Sequence, residues 1–576
     1  VVHPRPPAPS PAAPRPVPRP LALLDWFSAP TSPDRADRGG AASWTTSPRI
    51  ALAALLLAPA IYLCVGFLGP SVVTLDLGPR NGSLLPPWHI AAPAPWRNEW
   101  LVTGALWASI AIGGAGMWIG LRALARGWLP RLRRCFGLGV ALCLITIGVP
   151  PLTSADVLMY AAYGRIAVLG MSPYAVTPAG LFRTQYDPIL VYTERPWQDT
   201  PSVYGPILNW IQIGANRLGG ETVHDVVFWL QLVCMIFMVI ACTLAVGLAR
   251  GDRRLQARVI WLTILNPVMI WAVVVSAHNE AIAISFGVAA FWFLRRRPFV
   301  AGVLIGIGCS VKATLGLYGI AMVWAYRRDL PAMLRAIIGA GIPSSIAYFV
   351  LEPEALGQAA RNSGYLSEVS WLAPVQKLLV TFVAGETSYD LVSLLGWLGM
   401  ITLAWMLSRV LPRRRLFGLS GELDPRRDPL SDAVRTAVVL TVAWLCTAPY
   451  SLPWYDLAAW VPIALYGASR LDVIMLARGL VLNLAFNPGR VVGQSALLEE
   501  VVARVRQVGT TTAMLGVVSA IVIWWYYACR RAGSLISTRT DPAPPAGTAG
   551  AGELTAAAGE IPGAAASVAT KTRTGE

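Results

Sequence analysis

Long apolar runs constrain this chain more than any other feature. Segments such as "IALAALLLAPAIYLCVGFLG" (50–69) and "VVFWLQLVCMIFMVIACTLAVGLA" (226–249) have the length needed to cross a bilayer as helices, about 20 residues. Only 14% of the 576 residues are charged and 55% are hydrophobic, whereas a soluble chain carries about a quarter charged residues. The fold class is therefore an all-α polytopic membrane protein. Spans are expected near 50–69, 101–121, 135–151, 226–249, 258–276, 280–294, 299–325, 332–351, 390–408, 432–449, 455–470, 472–487 and 509–529. The 299–325 segment is too long for one crossing and is read as two short helices that dip in and return. The expected count is then about 12–14 transmembrane helices.

The net charge of +16 invites a nucleic-acid partner, but its distribution argues against one. Arginines cluster in short loops at 122–134, 250–258, 295–298, 326–329, 409–415 and 529–533. Lys and Arg in short loops near span ends mark the cytoplasmic side, so these loops and both termini are expected to be cytoplasmic. Residues 1–48 are Pro/Ala/Arg-rich and 531–576 Ala/Gly/Thr-rich. Neither has a pattern that could pack, so both read as disordered tails around a 49–530 membrane domain. The eight cysteines (64, 135, 143, 234, 242, 309, 446 and 529) lie in or beside apolar spans without metal-type spacing or disulfide framework.

The opposite loops, 70–100, 152–203, 352–389, 447–456 and 486–509, are longer and rich in Trp, Tyr and Pro. They are expected to build an outward-facing chamber. In "SADVLMYAAYGR" (154–165), helical spacing puts Asp156, Tyr160 and Tyr163 on one face. Partial desolvation at a membrane boundary makes a carboxylate a stronger base; the competing structural role is a helix N-cap. In "VVVSAHNEAIAISF" (273–286), His278, Asn279 and Glu280 interrupt an apolar run, and ionisable groups at membrane depth usually line a cavity or pathway; the alternative is a tight turn facing water. Lys312 is one of only three lysines and has no other charge within 14 residues on either side. A compact ammonium suits a phosphate, against the alternative of snorkelling to the interface. In "TAPYSLPWYD" (447–456), Trp454, Tyr455 and Asp456 offer an aromatic platform with an acid, as sugar rings require, or else an interfacial anchor. "TPSVYGPILNW" (200–210) turns at Gly205–Pro206, beside Tyr204, into a re-entrant or interfacial helix. No nucleotide-binding loop, paired Cys ligands or Ser nucleophile elbow is present.

Taken together, "SADVLMYAAYGRIAVLGMSPYAVTP" (154–178), "TPSVYGPILNWI" (200–211), "SAHNEAI" (276–282), "VKATL" (311–315) and "LPWYD" (452–456) resemble the polyprenol-phosphate-mannose-dependent α-(1→6)-mannosyltransferases of actinobacteria, the MptA/MptB type. Those belong to the membrane-embedded glycosyltransferases of the GT-C fold, and the resemblance covers roughly 50–530. It implies a GT-C fold with an active site in the outer loops. It also implies a mannosyl donor on a polyprenyl phosphate, a mannan-type glycolipid or oligomannoside acceptor, and an α-(1→6) bond formed with inversion in the plasma membrane. Asp156 falls where the family's essential carboxylate lies. Asp156-Val157-Leu158-Met159-Tyr160, Ser172-Pro173-Tyr174 and Ala313-Thr314 after Lys312 depart from the family's commoner residues.

In the expected mechanism Asp156 is the base, Lys312 holds the phosphate with help from His278 or Arg165, and the acceptor crosses Trp454 and Tyr455. No cofactor or metal is expected, because Lys312 can offset the leaving group's charge. The alternatives are transfer of another prenyl-linked sugar such as arabinose, or a transporter or lipid flippase, which would place its charges near the bilayer midplane.

Overall fold

The structure, a computed structural model, describes residues 44–537 except Thr153, Pro196 and the segments 362–364, 414–415, 417–427 and 490–492. Most of the two expected tails, 1–43 and 538–576, lies outside the described residues. The body, Val1–Cys529, is one compact unit; a second unit, Arg530–Glu576, is described only over the last turns of helix Thr510–Ser537.

The architecture is helical, with one two-residue parallel ladder (Leu68 with Ile90, Gly69 with Ala91) closing the first long loop. Among the described residues seven helices are long and apolar enough to span a bilayer, for example Pro48–Phe67, Glu99–Ala125, Val223–Leu248 and Gly385–Val410. Counting the bent pair Arg253–Leu262 and Pro267–Val275 as one span makes eight. This falls short of the 12–14 expected. The apolar runs near 135–151, 280–294, 299–325, 455–470 and 472–487 form helices of 10 to 15 residues. At about 1.5 Å per residue these reach only about 15–22 Å, short of the ~30 Å hydrocarbon core. Several are packed inside the bundle: every residue of Leu457–Tyr466 is buried. Hydropathy reads such a helix as a span because both exclude polar residues.

The 298–326 segment does run out and back. Its tip residue Lys312 meets Glu280, the first residue of helix Glu280–Phe293, whereas Tyr326 at its far end donates to the carbonyl of Leu294, just past the same helix. The outgoing arm, Pro298–Cys309, packs on Leu330–Ser345 through glycines. A Cβ on Gly302 would lie 2.0 Å from the Ala336 carbonyl oxygen, and one on Gly306 2.3 Å from that of Ala340. Such small-residue seams let backbones approach where lipid supplies no hydrophobic drive.

Contacts sort the connections into two ends. Arg258 grips Asp472 through two bonds of 2.6 Å and also donates to the Ile463 carbonyl. Arg295 meets Asp428 at 2.7 Å and Arg327 meets Asp432. Arg435 donates to the Leu411 carbonyl, Tyr466 to that of Pro412, and Trp128 packs edge-on against Trp261. The arginine-bearing loops at 122–134, 250–258, 295–298, 326–329 and 409–413 thus gather at one end of the bundle. Helices Glu280–Phe293 and Pro429–Thr447 carry the chain between this end and the other, where Asp156, His278, Lys312 and the 447–456 turn lie.

Candidate active site

Helix Asp156–Val168 begins where Ser154 Oγ accepts the Asp156 amide at 3.1 Å. The Asp156 carboxylate caps no backbone amide; Ser154, the other capping candidate, takes the first helical amide. Its place in the first turn sets the anion at the favourable end of the helix dipole. Tyr160 and Tyr163 share its face. Arg165 lies nine residues on, which at about 100° per residue is the opposite face. It bonds Asp187 at 2.7 Å and Glu221 at 3.3 Å. The structure therefore does not bring Arg165 to the cluster; it ties this helix to its neighbours.

The His-Asn-Glu interruption is built on unusual backbone. Residues Ile270–Val275 form a π-helical turn, and Ala277 has φ +55°, a left-handed conformation costly for a residue with a Cβ and common at functional sites. This presents His278 inward with no exposed surface. Its Nδ1 lies 2.5 Å from the Ala272 carbonyl oxygen, and its ring stacks on Trp454 with centroids 3.7 Å apart and 12° between planes. Nε2 faces Asp156 Oδ2 at 3.5 Å. Asn279 donates to the Tyr160 hydroxyl at 3.4 Å. Glu280 pairs with Lys312, whose ammonium also sits 4.0 Å over the Tyr455 ring. His278 thus pairs with the acid rather than with the lysine.

Tyr204 closes this wall, edge-on to Tyr160 at 5.0 Å and tilted to Tyr163 at 6.2 Å. The next residue, Gly205, has no room for a side chain: a Cβ would lie 2.1 Å from the Ser310 carbonyl oxygen. The Gly205 and Ile207 amides donate to the Val311 and Ser310 carbonyls at 3.2 and 3.0 Å. The start of helix Pro206–Gly219 therefore holds the hairpin tip that carries Lys312. Asn209, Gln212 and Asn216 on that helix are buried, whereas Trp210 and Leu218 on its other face are exposed.

The 447–456 turn departs from the expected open platform. Trp454 is buried against His278, and Asp456 is fully buried. Asp456 meets Arg478, which also donates to Ser451 Oγ at 2.6 Å and the Leu445 carbonyl at 3.0 Å. Asp456 thus anchors the turn from behind. Tyr455 alone of the three faces the recess. Burial, followed by Tyr450, Glu280 and Asp156, pushes its hydroxyl well above the ordinary range.

Sequence reasoning missed the outer aromatics. Trp197, Tyr365 and Tyr450 lie within 5.3–6.3 Å of one another, centroid to centroid, and Tyr450 reaches Tyr455 at 6.4 Å. Burial, then Asp156 and Tyr365, push the Tyr450 hydroxyl up. Their common signal, aromatic residues in the long loops, is too widespread to single them out. Arg478 was missed because it sits in an apolar helix with no motif around it. Beside Lys312 a small cleft continues inward between Ala283, Ile284, Leu315, Trp444 and Ala458. Among the described residues no three His, Cys, Asp or Glu side chains converge as a metal-binding group.

An acid–imidazole pair and an ammonium–carboxylate pair thus lie near one another among aromatic rings at one end of an all-α polytopic membrane protein. The family described as alpha-(1->6)-mannopyranosyltransferase, N-terminal domain, matches residues 64–328, a stretch that contains Asp156, His278 and Lys312. The probable alpha-(1->6)-mannopyranosyltransferase of Mycolicibacterium smegmatis is 26% identical over 368 residues, which is 55% of this chain and 62% of that protein. The alpha-(1->6)-mannopyranosyltransferase A of Corynebacterium glutamicum is 24% identical over 402 residues, 60% and 77% of the two chains. That of Mycobacterium tuberculosis is 23% identical over 461 residues, 73% and 82%. No solved structure matches. The chain is similar to the alpha-(1->6)-mannopyranosyltransferases, as the motifs led one to expect.

Proposed function

We propose that this protein is a GT-C-type glycosyltransferase of the plasma membrane. It would transfer mannose from a polyprenyl-phosphate donor to a mannan-type glycolipid acceptor, forming an α-(1→6) bond with inversion. The observation that carries this reading is that Asp156 and Lys312, from segments 156 residues apart in sequence, meet the same His-Asn-Glu turn, Asp156 at His278 and Lys312 at Glu280. A base and a phosphate-binding cation are the two groups that a direct displacement at a sugar–phosphate bond requires.

The donor phosphate binds Lys312, displacing Glu280, and the prenyl chain lies in a groove between the helices. The acceptor glycan enters over Trp197, Tyr365 and Tyr450, whose rings match the apolar faces of sugars. Asp156 takes the proton of the attacking hydroxyl while the anomeric carbon–phosphate bond opens toward Lys312. Lys312 supplies the countercharge, so the reaction as proposed runs without a metal. The arginine-rich end and both termini are cytoplasmic by the positive-inside rule, and the recess opens outside.

The test is transfer by purified protein in vesicles, with mannose offered on a polyprenyl phosphate or on a nucleotide and an oligomannoside as acceptor. The reading expects product from the lipid donor alone, with an α-(1→6) linkage by NMR. Transfer from the nucleotide, or of arabinose in preference to mannose, contradicts it.

A further inference from the structure

We infer that His278 acts on Asp156 as a hydrogen-bond acceptor that engages only after the carboxylate has taken the substrate's proton, which makes it a positioning residue for the base. This rests on the reading of Asp156 as base.

The tautomer follows from the surroundings. The Ala272 carbonyl can only accept, so at 2.5 Å it fixes a hydrogen on Nδ1. Nε2 has no hydrogen-bond partner and looks at Asp156 Oδ2 across 3.5 Å. An imidazolium facing a carboxylate closes to about 2.7–2.9 Å; this gap is longer than such a bond. A neutral ring turns its lone pair toward an anion, with no proton between them. The ring cannot rotate away, because it is sandwiched on Trp454 and its preceding residue holds the strained φ of +55°. The other charges nearby are already matched: Glu280 by Lys312 and Asp456 by Arg478. Asp156 and the Tyr160 hydroxyl, which receives the Asn279 amide, are the remaining titratable groups on the facing helix turn.

The step balances as follows. The acceptor O–H bond breaks and its proton binds Asp156 Oδ2. The oxygen's electron pair forms the new bond to the anomeric carbon, and the carbon–phosphate oxygen bond breaks with its pair leaving on the phosphate. The new Asp156 O–H then donates to His278 Nε2. An interaction absent in the ground state and present as the proton arrives stabilises the transition state selectively. Proton exit runs back through Asp156, since His278 has no exposed surface.

Two measurements test this. With 15N-histidine label in bilayers at neutral pH, only four histidines contribute, and the His278 signal is identified by its loss in His278→Phe. The neutral Nδ1–H tautomer is expected; an imidazolium overturns the inference, and this readout needs no substrate. In the transfer assay His278→Phe, which keeps the stack on Trp454, should lower kcat about 2- to 10-fold, the net worth of one hydrogen bond between neutral groups. Both KM values should stay within about twofold, and the acid limb of the rate profile should move to lower pH. An unchanged kcat, an acid limb moved upward, or a loss confined to donor KM contradicts it. Should His278→Phe fail to fold, His278→Gln supplies an acceptor oxygen and should retain more activity than His278→Ala. Absence of any transfer by the unaltered protein would fault the proposed function instead, leaving the tautomer result standing.

Discussion

Lys312 and Asp456 show how two charges singled out for the same reason come to do different work. Lys312 is 13% exposed, on the recess side, with Glu280 as its counter-ion and Tyr455 beneath it. Lys312→Ala should raise donor KM about tenfold or more with acceptor KM unchanged, read by initial rates at varied donor; an unchanged donor KM removes the phosphate role. Asp456 and Arg478 have 0% and 1% exposed side chains. Removing one member of a buried pair leaves an uncompensated charge, at a cost of about 3–5 kcal/mol. Asp456→Asn should therefore lower the thermal midpoint sharply, and Asp456→Asn with Arg478→Met should recover much of it. A melt unchanged in the single variant would show the pair to be idle. The sequence made the Asp156–Tyr160–Tyr163 face and the His-Asn-Glu interruption legible, because helical period and hydropathy are local. Partners were not legible. Nothing local says that Asp456 answers to Arg478, 22 residues on, or that Arg165 belongs to Asp187 and Glu221.

The site is assembled by three short elements, and the sequence indicated where each one breaks. The Gly205–Pro206 turn, the Lys312 tip and the Ala277 kink all fall where polar or turn residues interrupt apolar runs. What hydropathy could not supply is which interrupted run spans and which stays inside. That depends on helix length against bilayer thickness and on how the bundle covers it. Gly205 is the coupling point between two of these elements. Gly205→Ala puts a methyl 2.1 Å from the Ser310 carbonyl oxygen, so the tip must shift and carry Lys312 with it. Donor KM should rise severalfold while the protein still assembles in the membrane. Wild-type kinetics in Gly205→Ala would mean that the tip is not positioned by this contact.

At the scale of the molecule, charge sorts to one end and chemistry to the other. The arginine loops are tied together by ion pairs, Arg258–Asp472 and Arg295–Asp428 among them, and Asp156, His278 and Lys312 lie at the other end. In a cysteine-free background, Tyr365→Cys in intact cells should react with a membrane-impermeant maleimide and Arg296→Cys should not; the reverse pattern would invert the orientation. The polytopic class and the grouping of loops were legible in composition and arginine spacing, whereas the number of helices long enough to span, seven or eight among the described residues, was not, because short helices are as apolar as long ones. The account stands on one recess serving donor and base together. A structure determined with a non-transferable mannosyl phosphonate on a prenyl chain measures this directly. It should show the phosphonate on Lys312 and the anomeric carbon next to the Asp156 carboxylate. A phosphonate bound elsewhere, with Lys312 still paired to Glu280 and Asp156 remote from the sugar, would contradict it.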